Sequence, residues 1–129
     1  MQLMLPPYNQ VQLIGRAGHV PDLVRLADDS YRANLRLYQN VRSALESSAT
    51  QVHQLVAWNA VARQLEHRVH RGDRLLVQGK LVNRRFTSGG VTHLRTEIHV
   101  SHFMLLTAGE RAGEVRTELP NFQMGSTDE

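Results

Sequence analysis

The chain has no cysteine, which excludes disulfide staples, cysteine nucleophiles and thiolate metal sites and fits a reducing compartment. It also lacks any run near the roughly 20 consecutive apolar residues needed to span a bilayer. The opening MQLMLPPYNQ has no basic region followed by a long apolar stretch, so neither an export signal nor a membrane partner is expected. Catalytic signatures are absent too: there is no GxSxG, no phosphate loop and no HExxH, and the acids are scattered rather than paired. The expectation is a cytoplasmic protein without a cofactor, working by binding and not as an enzyme. Aromatic residues make up only 5% of the sequence, with a single tryptophan, so the placement of each carries information.

What is present suits one domain with a short tail: 129 residues, 41% of them hydrophobic, enough for a modest core. The formal charge of +3 hides an asymmetry. Residues 1–106 hold 13 Lys or Arg against 7 Asp or Glu, whereas residues 107–129 hold 2 against 5. Glycines 109, 113 and 125 with Pro120 break regular structure in that last stretch. The division is therefore a basic binding domain, 1–106, and a flexible, weakly acidic tail, 107–129. A basic body attracts polyanions through counterion release, and many basic surfaces do no more than confer solubility.

Val11, Leu13 and Gly15 alternate with Gln12, Ile14 and Arg16, and Ala33, Leu35 and Leu37 with Asn34, Arg36 and Tyr38, which predicts strands near 10–20 and 32–39. After the polar NVRSALESSAT comes a third strand, Val52 to Trp58. Asn59 is placed to cap a helix on which Val61, Leu65 and Val69 recur every four residues, and Gly72 offers a left-handed stop. DRLLVQGKLVNRRF and VTHLRTEIHVSHFMLL then read as two long strands joined at Ser88–Gly90. The order βββαββ is that of an all-β, five-stranded Greek-key OB-fold barrel, with one helix between strands three and four and a long β-hairpin arm. Gly15, Gly18 and Gly79 suit the bends of so small a barrel.

On the fourth strand Lys80, Val82, Arg84 and Phe86 share a face, with Arg85 beside them. An unpaired nucleic acid offers phosphates and bare base faces, so a binder interleaves cations with flat rings. Trp58 and Tyr38, ending strands three and two, add stacking surfaces if they share that side, and Arg36 and Arg16 add cations. Each has a plainer reading: a lone tryptophan is more often core, and paired arginines often only solvate a hairpin. His67 and His70 on the helix, and His93, His99 and His102 on the last strand, lack a common center, because residues 99 and 102 of a regular strand face opposite ways; no metal site is expected. Arg71-Gly72-Asp73 is read as a helix stop between two solvent-exposed charges.

NQVQLIGRAGHVP, HQLVAWNAVARQLEHRVHRGDRLLVQGKLVNRRF and TEIHVSHFMLL together resemble the bacterial single-stranded DNA-binding proteins of the homotetrameric type, over Asn9 to about Leu106. The resemblance implies an OB barrel that binds and protects single-stranded DNA in replication, recombination and repair, in the cytoplasm and associated with the nucleoid. By position it implies base stacking by Trp58 and Phe86 and phosphate contacts by Arg84 and Arg85; Tyr38 is expected to stand in for a lost ring, and Lys80, Arg36 and Arg16 to add phosphate contacts. It also implies a homo-oligomer, a tetramer, with His53 at the subunit interface and assembly through the first strand at Val11 and Leu13. Two departures stand out. Val52 occupies a place where many members carry a stacking tryptophan, and the closing NFQMGSTDE lacks the Pro-Phe tip that recruits replication and repair proteins. Those departures leave a second reading, an interaction module or regulatory paralogue that joins mixed oligomers and binds DNA weakly.

Overall fold

Alternating inward apolar residues organise six strands and one helix: β1 (Val11–Ala17), β2 (Asp22–Arg25), β3 (Tyr31–Val41), β4 (Ala49–Trp58), α1 (Asn59–Arg68), β5 (Arg74–Ser88) and β6 (Val91–Thr107). The computed structural model describes residues 5–41 and 49–109. The sheet runs β1-β5-β6-β4-β3-β2 and closes into a barrel where β1 meets β3 at Arg16–Tyr38 and Ala17–Leu37. All neighbours are antiparallel except β4 and β6. This is the expected OB barrel with its helix between the third and fourth barrel strands. The added element, β2, is a four-residue strand that pairs with β3 across a tight turn. Its sequence DLVR is too short to show a period.

The inward faces of β3, β4, β5 and β6 deliver Leu35, Leu37, Leu55, Leu75, Val77, Ile98 and Val100 to one core. Helix α1 covers one end of it with Ala62 and Leu65, joined by Val69 just past its C-terminus. Each fully buried leucine or valine contributes on the order of 1.5 to 3 kcal/mol by leaving water.

Asn59 does not cap α1. The N-cap is Trp58, without a side-chain hydrogen bond, while Asn59 adopts φ 51° and its Oδ1 accepts the Tyr31 N–H at 3.0 Å. Asparagine tolerates the left-handed region, and its amide ties the helix start to β3 instead. Gly72, at φ 87°, belongs to the turn after the helix, where the Asp73 N–H reaches the His70 carbonyl. Asp73 is fully buried, not solvated. Its carboxylate accepts from the His70 N–H at 2.8 Å and the Gly109 N–H at 2.6 Å, pinning the chain where it leaves β6. Strand β6 thus carries the ordered domain through Thr107, and residues 110–129 of the expected tail lie outside the described residues.

Strands β5 and β6 continue past the barrel as a two-stranded arm, paired up to Ser88–Val91 around Gly89 and Gly90 at φ 61° and 80°. Two consecutive positive φ values make the primed turn whose twist matches a hairpin.

Candidate nucleic-acid interface

Register and alternation place Arg32 and Arg36 of β3, Trp58 of β4, Lys80, Arg84 and Phe86 of β5 and Arg95, Glu97 and His99 of β6 on one outer surface. Trp58 stands at its middle, 39% exposed although it follows three buried residues, Leu55, Val56 and Ala57. Lys80 lies directly opposite His99, and Phe86 directly opposite His93. Trp58, Lys80 and His99 line a groove of about 670 Å³, whose far wall includes Tyr8 and Asn9. Asn9 fixes that wall by pairing both its amide groups with the backbone of Leu81, at 2.8 and 2.9 Å, as a neighbouring strand would.

Phe86 is half-buried and already engaged: the His93 ring stacks on it at 5.1 Å and the Arg95 guanidinium lies 5.0 Å from its center. Arg85 pairs with Leu94 and so projects from the face of the arm opposite Arg84 and Phe86. Tyr38 sits opposite Val52 at the other end of the face, its ring seated over Gly18, where a Cβ would come within 2.2 Å of it. Arg16 faces Tyr38 across the barrel closure and also bonds the Gly72 carbonyl at 3.0 Å. The structure thus gathers Trp58, Lys80, Arg84, Phe86 and Arg36 on one continuous surface, puts Tyr38 and Arg16 at its margin, and turns Arg85 away.

Of the residues expected at an interface between subunits, Val11 and Leu13 pack against the barrel core. What β1 presents outward is Gln12, Ile14 and Arg16, together with its backbone edge. From Val11 to Gly15 that edge pairs with no strand on the β3 side among the described residues. His53 is half-buried and its Nε2 lies 2.9 Å from Gln39 Oε1.

Several participants escaped sequence reasoning. Arg32 lies directly across from Trp58, and its buried Nε has no hydrogen-bond partner. Glu97, only 4% exposed, ion-pairs with Arg84 at 3.2 Å and contacts His99 Nε2 at 3.1 Å. Its position inside the TEIHV alternation, where a barrel's outer face needs nothing apolar, gave no hint of burial. His99 and His102 line the same groove, contrary to the expectation that they diverge. A register shift at Gln78/Gly79 inserts Ser101, so Val100 and His102, two residues apart, face adjacent partners, Gly79 and Gln78. Gly79 permits this, since a Cβ there would fall 2.1 Å from the His99 carbonyl oxygen. Among the described residues no group of three His, Asp or Glu is arranged to hold a metal ion.

The family model described as Single-strand binding protein family matches residues 8–106. Single-stranded DNA-binding protein 1 of Streptococcus pyogenes serotype M6 is 32% identical over 101 residues, 77% of each chain. The single-stranded DNA-binding protein of Bacteroides thetaiotaomicron is 31% identical over 107 residues, covering 77% of this chain and 66% of that one. A solved structure of the Plasmodium falciparum SSB complex with ssDNA superposes with a TM-score of 0.71 and 26% identity, over 81% of this chain and 99% of that one. A match over most of the length, on a barrel whose outer face interleaves arginines with aromatic rings, leaves one conclusion: the chain belongs to the single-strand binding protein family.

Proposed function

We propose that this chain binds single-stranded DNA without regard to sequence and shields it during replication, recombination and repair, by stacking and ion pairing and not by catalysis. The observation that carries the reading is Trp58, exposed at the center of a face that also holds Lys80, Arg36, Arg84 and Phe86. Bases stack on Trp58 and Phe86, with Tyr38 at the margin, while the cations track the phosphates. Arg85, on the reverse of the arm, serves a strand that passes around the hairpin, and Arg16 one that continues past Tyr38. The protein works as a homo-oligomer, a tetramer, in which the part of β1 that β3 does not pair adds a second copy and His53 lies close to the contact.

Titration with oligo(dT) tests this directly, because the only indole is Trp58. Its emission is expected to fall on binding, with affinity declining steeply as salt rises. No quenching and no mobility shift at low salt would refute the reading. Sedimentation of the free protein checks the oligomer, and a monomer at micromolar concentration would remove that part.

A further inference from the structure

Glu97 is an acid buried in a surface that otherwise recruits phosphate. Removing a carboxylate from water has to be offset by partners, and this one has two: Oε2 pairs with the Arg84 guanidinium at 3.2 Å and Oε1 with His99 Nε2 at 3.1 Å. The other ring nitrogen of His99, Nδ1, meets the indole N–H of Trp58 at 3.4 Å, and the two rings lie 6.1 Å apart. A carboxylate accepts and an indole N–H donates, so the imidazole that satisfies both is the neutral tautomer with its proton on Nε2. One buried oxygen therefore fixes a cation, and the other fixes, through an imidazole, the orientation of an exposed ring.

We propose that Glu97 and His99 are positioning residues for DNA binding: Glu97 holds Arg84 directly and Trp58 through His99, presenting charge and ring in a set relation before DNA arrives. The inference rests on the reading that this face binds single-stranded DNA. Its advantage is entropic. A free Arg or Trp side chain loses rotamer freedom when it engages a ligand, and a side chain held beforehand loses less.

The sign of one substitution separates positioning from bulk charge. Glu97→Gln removes a negative charge from the face, which by electrostatics alone strengthens DNA binding. If Glu97 positions, the variant instead binds oligo(dT) about five- to tenfold more weakly, within the range set by stacking contacts, because an amide turns an N–H toward one of the two donors. His99→Ala is expected to weaken binding to a similar degree with the salt slope unchanged, since a neutral imidazole displaces no counterion. It is also expected to reduce the near-ultraviolet circular dichroism of Trp58 in the free protein. His99→Gln, which keeps a donor and an acceptor, should recover most of both losses.

Glu97→Gln binding as tightly as the parent or more so would overturn the inference, as would His99→Ala leaving affinity and ellipticity unchanged. Should Glu97→Gln not fold, the His99 pair decides alone. Trp58→Ala, run in parallel, separates the two levels. Full affinity in that variant would remove the stacking role and the inference together, whereas weakened binding there with none in His99→Ala would remove the inference only.

Discussion

Trp58 and Phe86 reach the same face in different states. Trp58 presents an exposed ring whose N–H meets His99 and against which the His99 ring is tilted, not stacked, so a base can lie on it without displacing a stacked ring. Phe86 is already stacked on His93 and approached by Arg95, and a base must replace or extend those contacts. The two rings should therefore contribute unequally. Trp58→Ala is expected to cost about 1 to 3 kcal/mol of oligo(dT) binding, a range established on single-strand binding proteins of this kind, and Phe86→Ala less than Trp58→Ala. Fluorescence anisotropy with labelled oligonucleotide measures both, and equal or reversed losses would contradict the assignment. Val52, 46% exposed across from Tyr38, offers an aliphatic surface where a further ring could stand.

At the scale of elements, strands were legible because alternation survives in a barrel whose interior is apolar: Leu35 and Leu37 against Arg36 and Tyr38 announce β3 without any tertiary knowledge. The helix was legible through a different period, the four-residue recurrence of Val61 and Leu65 on its inward side. What stayed hidden depends on where backbones meet. The extra residue at Ser101 resets the faces of β6, so His102 joins His99, and no local pattern signals a bulge. Asn59 carries the composition of a cap, yet its amide serves β3 because the helix begins from a left-handed residue. Asp73 reads as a charged turn residue and is a buried clamp on Gly109 and His70. Position in a strand singled out Trp58 and Phe86 as candidates for the outer face, whereas the burial of Glu97 behind Arg84 could come only from the assembled sheet. Losing the clamp strands two N–H groups, so Asp73→Ala is expected to destabilise the fold by about 2 to 4 kcal/mol. Urea unfolding checks this, and an unchanged midpoint would show that the clamp is dispensable.

Across the whole molecule, Lys80 is the only lysine among 15 lysines and arginines. Guanidinium groups pair with phosphates and also lie flat against bases, so an arginine-rich face serves both halves of an unpaired strand. The two contributions are separable by salt. Replacing Lys80 or Arg36 by alanine is expected to reduce the magnitude of the log–log salt slope by about 0.7 for each phosphate left unneutralised. Phe86→Ala should instead lower affinity evenly at every salt concentration. A salt slope that moved with Phe86 and not with Lys80 would invert the roles given to ring and cation.

The Asp73 clamp has a mechanical meaning as well. The turn that holds Gly109 is itself sewn to the end of β1, through Ala17 N–H to the Asp73 carbonyl and Gly72 N–H to the Ala17 carbonyl, both at 2.8 Å. Tension on the chain at Gly109 is therefore shared between β6, which it follows by two residues, and, through the Asp73 carboxylate, the turn tied to the end of β1. The exit of the chain is thus anchored at the end of the barrel where β1 closes it, away from the hairpin arm.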